Sequence, residues 1–252
     1  VSRVLLDSSE TIWLAASMNQ EEAFTQKLRH KGLALMPQAA SPEIVAMLER
    51  AFPPSSSEES THRRGGQRNV LDVPAVIAAT SERSGVRALA QTVLGKDCFA
   101  ARALLFDKTP DANWKVRWHQ DLTIALRERR ETPGFGPWTH KEGVAHALAP
   151  DTLLTRMLAL RIHLDDCGEE NGPLRVLPGT HLQGRLSEAD IENRKSRIAA
   201  VTCLARRGDV LAFHPLLLHA SSPATKPGHR RVLHLEFAAD ALPGGLEWRW
   251  SV

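Results

Sequence analysis

No stretch of this chain approaches the roughly 18 consecutive apolar residues that cross a bilayer, so a membrane-spanning protein is not expected. The first 17 residues carry an apolar run, but Asp7 and Glu10 interrupt it and no basic leader precedes it, which makes a poor secretion signal. They read as a flexible or appended leader, with Met18 a second candidate start. Cysteine is scarce: Cys98, Cys167 and Cys203 are odd in number and far apart, and form neither a disulfide framework nor a Cys-x-x-Cys zinc pattern. A reducing cytoplasm is the expected compartment. Charge of one sign is lacking too. A net +3 with acids and bases interspersed does not suit nucleic-acid binding. Internal repeats and a clear linker are also missing, so residues 1–252 are expected to form a single domain. What is present is an ordinary globular composition, 42% hydrophobic and 24% charged, on a chain of 252 residues that can bury a sizeable core.

The N-terminal part reads as helical. Residues 19–31 are polar and helix-forming, and Gly32 to Met36 reads as a short buried strand. Ser41-Pro42-Glu43 is a capped helix start, with Ile44, Val45, Leu48 and Phe52 on one face and Pro53-Pro54 as its stop. Ser55 to Gly66 is expected to be a mobile loop. A further helix is expected over Gly85 to Leu94, closed by Gly95. From Phe99 the texture changes to short apolar runs between turn signals: Ala101–Phe106, Val116–Trp118, Met157–Leu164, Leu174–Leu177, Val210–Phe213 and Val232–Phe237. That pattern predicts a mostly β chain with flanking α, a jelly roll under an N-terminal helical layer.

Chemistry concentrates in a few positions. Trp118-His119-Gln120-Asp121 holds a His-x-Asp pair whose side chains share one side of an extended strand. A ferrous centre that must bind a cosubstrate and O2 needs three protein ligands on one face, and two imidazoles with one carboxylate supply them. His219, after the strand-like run Leu216-Leu217-Leu218, is the third candidate. A rival pair, His163-Leu164-Asp165, runs straight into the turn-rich Asp166 to Gly172, where Asp165 better serves the turn. His163 shares a strand face with Ala159 and Arg161. Arg230 follows His219 by 11 residues (230 − 219) and can grip a carboxylate bidentately, as the distal end of 2-oxoglutarate requires. Arg231 is its rival, on the opposite strand face.

Four separated segments resemble the phytanoyl-CoA dioxygenase-like (PhyH) family of iron(II)- and 2-oxoglutarate-dependent oxygenases. They are Trp118-His119-Gln120-Asp121, then Asn171-Gly172-Pro173 through Pro178-Gly179-Thr180-His181, then His219-Ala220-Ser221, and Arg230. The resemblance spans roughly residues 30–240 and implies a double-stranded β-helix, cupin-like, with Fe(II) at its open end. It implies that Ser221 hydrogen-bonds the 2-oxoglutarate carboxylate beside Arg230, and that Arg161 stands where relatives place another cosubstrate contact, often an aromatic. It implies a small-molecule substrate and O2 as partners, with release of succinate and CO2. Halogenating relatives replace the carboxylate ligand by Gly or Ala, so Asp121 favours hydroxylation. Pro178 to His181 is expected to shape a turn, His181 being structural. The stretch Leu122 to Thr155, with Arg127, Arg129, Arg130, Phe135 and Trp138, reads as a long loop that is either lid and substrate wall or a solvated face. Lys108 is left between facing the site and flanking a turn. A non-catalytic metal- and 2-oxoglutarate-binding protein and a zinc hydrolase are the alternative readings.

Overall fold

The computed structural model describes residues 8–54 and 66–252. Helix α1 (Ser8–Lys31) reaches back into the segment expected to be a leader, whose first part, residues 1–7, lies outside the described residues. Gly32 (φ +80) then admits the turn into β1 (Leu33–Met36). Helix α2 (Pro42–Ala51) starts as its sequence dictates: the Ser41 side chain accepts the Ile44 N–H, and Pro42 occupies the first turn where its missing N–H costs nothing. Val45 and Leu48 are buried beneath it, with Phe52 just beyond. The loop expected from Ser55 to Gly66 lies outside the described residues, except that Gly66 opens β2 (Gly66–Gln67). Helices α3 (Pro74–Ala79) and α4 (Gly85–Leu94) complete the helical layer, α4 capped by Ser84 and ended at Gly95.

The remaining strands are β3 (Phe99–Asp107), β4 (Val116–His119), β5 (Thr123–Leu126), β6 (Trp138–Lys141), β7 (Val144–Leu148), β8 (Leu158–His163), β9 (Leu174–Val176), β10 (Val201–Cys203), β11 (Val210–Phe213), β12 (His219–Ser221) and β13 (Arg231–Ala238). Two helices interrupt them, α5 (Asp151–Leu154) and α6 (Glu188–Arg197). A six-stranded antiparallel sheet runs β1-β11-β8-β13-β3-β2, and a four-stranded one runs β10-β9-β12-β4. Alternation assigns each face of the larger sheet. Leu233, Leu235 and Phe237 of β13, with Leu160 and Ile162 of β8 and Leu105 of β3, join Leu28, Leu48, Val76 and Val86 in the main core under the helices. The other face carries Leu211 and Phe213 against Leu174 and Val176 of the smaller sheet. Further along that face stand Arg102, Arg161, His234 and Glu236. The jelly roll is therefore packed at one end and polar at the other.

Two expectations are corrected. The stretch Leu122 to Thr155 is not a long loop: it folds into a three-stranded meander, β5-β7-β6, followed by α5. Its β6–β7 link is the pair Glu142 (φ 50) and Gly143 (φ 79), a two-residue hairpin turn with both residues left-handed. Alanine at positions 125, 145 and 147 gives these strands low β propensity, which hid them. The run Leu216-Leu217-Leu218 is likewise not a strand. It is a buried turn, tied by the Leu217 N–H to the His214 carbonyl (2.8 Å), and β12 begins only at His219.

Candidate metal centre

His119 ends β4 and His219 begins β12, and the antiparallel register places the two directly opposite one another. Gln120 turns away from them. Its amide donates to the Gly184 and Leu216 carbonyls (2.9 and 2.7 Å) and accepts the Leu186 N–H (2.8 Å), which pins the chain so that His119 and Asp121 share the other side. The three ligand atoms of His119, Asp121 and His219 lie within 4.8 Å of one another, the one such metal-capable group among the described residues. His119 Nε2 is 3.7 Å and His219 Nε2 3.6 Å from the Asp121 carboxylate. Each ring meets a main-chain carbonyl through Nδ1, of Arg117 and Leu217 respectively, both at 2.8 Å. A carbonyl can only accept, so Nδ1 carries the proton and Nε2 presents a lone pair to a metal. Burial pushes His219 down to about 4, only partly offset by Asp121, so the ring is neutral at neutral pH. Burial opposes ionisation of Asp121, but His219, His234, His119 and Arg102 outweigh it and hold the carboxyl below its ordinary range. Two imidazole Nε2 atoms and a carboxylate are the donor set of a divalent metal with open positions.

Beside the triad lies a cavity of about 510 Å³ lined by Arg161, Ser221 and Arg230, among others. Arg230 is buried, donates through Nη1 to the Gly172 carbonyl (3.0 Å), and leaves Nε without a protein partner. Arg161 pairs across from His234, lies over the Phe106 ring at 5.4 Å, and its Nε also lacks a partner. Burial, then Arg230, lower Arg161 to about 10, and the same two causes lower Lys108 to about 8. Buried cations without an acid beside them are costly unless an anion arrives. The pocket fits a carboxylate ligand on these grounds. Gly172 enables it: at φ +64, an added Cβ would meet the Ser222 carbonyl at 2.5 Å and Lys108 Nζ at 2.9 Å.

Other candidates fall elsewhere. Lys108 is fully buried and outside the cavity lining, and its ammonium donates to the Ser222 carbonyl. Trp138 is also outside the lining, packed on the cluster of Ile124, Phe135 and Trp248, with Arg129 over its ring at 6.0 Å. Arg127, Arg129 and Arg130 are paired with Glu247, Glu131 and Glu128 on the surface. Arg231 is held bidentately by Asp165 (2.6 and 2.9 Å), which commits the acid of the rival His-x-Asp pair. His163 is buried apart from the triad, and burial, then Arg161 and Arg230, push it down to about 3. His181 is structural, bonded to the Arg29 carbonyl (3.1 Å) and stacked on His214. Sequence reasoning missed Arg102, Lys141 and Glu236. Period-two extension from His234 would have found Glu236, but the pairing that brings Arg102 opposite depends on a register no local pattern encodes.

L-proline trans-4-hydroxylase of Streptomyces griseoviridis is 26% identical over 175 residues, covering 59% of this chain and 58% of the relative. The peroxisomal phytanoyl-CoA dioxygenase of Homo sapiens is 25% identical over 159 residues, covering 58% of this chain and 40% of the relative. The chain thus spans about half the length of these curated relatives. Among solved structures, AviO1 from Streptomyces viridochromogenes Tue57 superposes with TM-score 0.61 at 21% identity, covering 88% of this chain and 96% of that one. EctD from S. alaskensis with 2-oxoglutarate and 5-hydroxyectoine superposes with TM-score 0.63 at 17% identity, covering 85% and 74%. The family model for phytanoyl-CoA dioxygenase (PhyH) matches residues 28–232, a span that takes in the triad, the Gly172 turn, Ser221 and Arg230, and the chain belongs to that family.

Proposed function

We propose that this chain is a non-haem iron(II)- and 2-oxoglutarate-dependent dioxygenase that hydroxylates a small molecule with O2 and releases succinate and CO2. The observation that carries this reading is the adjacency of a two-His, one-Asp face to two buried guanidinium groups with unpartnered Nε atoms. His119, Asp121 and His219 would hold the iron. Arg230 and Ser221 would take the distal carboxylate of 2-oxoglutarate, with Arg161 as a second cationic contact. Iron and 2-oxoglutarate supply the oxidising chemistry when bound, and the chain supplies position, charge and exclusion of water. Arg230 is preorganised by Gly172 and by its own N–H on Asp107 (3.0 Å), so little order is lost on binding. Asp121 would supply a carboxylate ligand where halogenating relatives carry Gly or Ala, which favours hydroxylation. A relative named for hydroxylating L-proline supports a small-molecule substrate.

A zinc hydrolase would need a free carboxylate to activate water. The cavity's second carboxylate, Glu236, is committed to Arg102 at 2.9 Å, which disfavours that alternative. No helix among the described residues is long and apolar enough to cross a membrane. Three buried, unpaired thiols fit a reducing compartment, and the cytoplasm is the proposed one. Anaerobic addition of 2-oxoglutarate to the iron(II)-loaded protein tests the proposal. A metal-to-ligand charge-transfer band should appear in the wild type and be absent in His219→Ala; no band in the wild type refutes it.

A further inference from the structure

The cavity extends past the triad to a second polar end, away from Arg161 and Arg230. Arg102 of β3, Lys141 of β6 and Arg68 line it, with Glu236 the acid among them. Glu236 is already engaged: it accepts from Arg102 at 2.9 Å and lies 3.5 Å from His234 Nε2. Arg68 pairs with Glu142 at 3.9 Å. Lys141 is half-buried, donates only to the Thr123 hydroxyl (3.2 Å), and has no ion pair among the described residues. Burial, then Arg102 and Arg68, lower its pKa, while Glu236 and Asp121 oppose the shift, so Lys141 is a half-buried ammonium beside two guanidinium groups. An incoming anion would supply the ion pair that Lys141 lacks among the described residues.

We propose that this end is an anion subsite, in which Arg102 and Lys141, with Arg68 beside them, take the carboxylate or phosphate of the primary substrate and so hold its oxidisable carbon toward the triad. The inference rests on the oxygenase reading and names the substrate class for it. Distance suits a small molecule. Arg102 meets Glu236 at 2.9 Å, Glu236 lies 3.5 Å from His234 Nε2, and His234 Nε2 is 4.0 Å from the Asp121 carboxylate, so three side-chain contacts join Arg102 to the metal position. Leu104, Leu122 and Leu148 line the same cavity and supply an apolar surface for the substrate body. A guanidinium and an ammonium are the groups that select an oxyanion over a neutral hydroxyl.

The test uses protein saturated with Mn(II) and 2-oxoglutarate, which fills the Arg230 pocket, titrated with benzoate, phenyl phosphate and neutral benzyl alcohol by calorimetry. At least one anion should bind, and the stronger identifies carboxylate or phosphate as the preferred group. Benzyl alcohol should bind at least tenfold more weakly. Lys141→Met, which keeps the apolar stem, should weaken the anion at least tenfold, and Lys141→Arg should restore it. Equal binding of the alcohol, no change in Lys141→Met, or anion binding only when 2-oxoglutarate is left out each overturns the subsite. Should 2-oxoglutarate itself fail to bind, the oxygenase reading falls separately. The titration is then run with Mn(II) alone, where dependence on Lys141 supports the subsite and dependence on Arg230 instead overturns it.

Discussion

At the scale of single residues, two neighbouring arginines have opposite tasks because a strand alternates its faces. Arg230 points into the cavity; Arg231 points away to Asp165 and the Phe52 carbonyl. Removing a bidentate, charge-assisted contact to a buried carboxylate costs about 2–4 kcal/mol. Arg230→Ala should therefore weaken 2-oxoglutarate roughly 30- to 1000-fold at 1.4 kcal/mol per decade. Arg231→Ala should leave that affinity nearly unchanged while lowering stability, since it strands Asp165. Anaerobic titrations of both variants with thermal melts check this, and equal affinity losses would mean the strand phase is misassigned. Asp121→Gly should lose iron-dependent turnover by opening the carboxylate position, without necessarily gaining halogenation. A chlorinated product from the unmodified protein would contradict the role given to Asp121.

At the scale of elements, the site depends on short pieces whose placement is set from outside. β12 is three residues long, and its register against β4 and β9 brings His219 to His119. The turn before β9 sets Arg230 through the Gly172 carbonyl. Gly172→Ala should cost about 1–3 kcal/mol of stability for its left-handed backbone. It should also weaken 2-oxoglutarate severalfold although no charge is lost, read by the same titration beside a denaturation curve. Unchanged affinity would separate Gly172 from Arg230. Elements with strong local signals were legible: Ser41-Pro42 opens α2, Gly95 closes α4, and Val210–Phe213 is β11 to the residue. The alanine-rich strands β5 to β7 were not, because short weak formers gain their structure from pairing. His119, Asp121, His219 and Arg230 were singled out by motif and phase, and Ser221 and Arg161 by the family resemblance; the fold brings all six to one cavity, where Arg102 and Lys141 join them only by tertiary folding. Trp138 and Lys108 lie outside the cavity lining, because sequence proximity to a site does not say which way a side chain turns.

At the scale of the whole molecule, buried neutral histidines couple folding to pH. Burial is the first cause in both His163, lowered to about 3, and His146, lowered to about 4. Between those values and about 6.5 the unfolded chain takes up protons that the native state refuses. Stability is thus full above about pH 6.5 and falls on acidification, by at most about 1.4 kcal/mol per group per pH unit. Urea midpoints of the metal-free protein at pH 7.5, 6.0 and 5.0 should decline in that order, and a flat profile would show that these rings accept protons in the fold.

The account's central claim is that one triad performs 2-oxoglutarate-dependent oxidation, and succinate formation from 2-oxoglutarate under iron(II) and O2 measures it most directly. Wild-type protein should release succinate, even slowly without its primary substrate. His119→Ala should abolish that release, and His163→Ala should retain it. Succinate formation that survives His119→Ala but not His163→Ala, or that never depends on iron, would contradict the account.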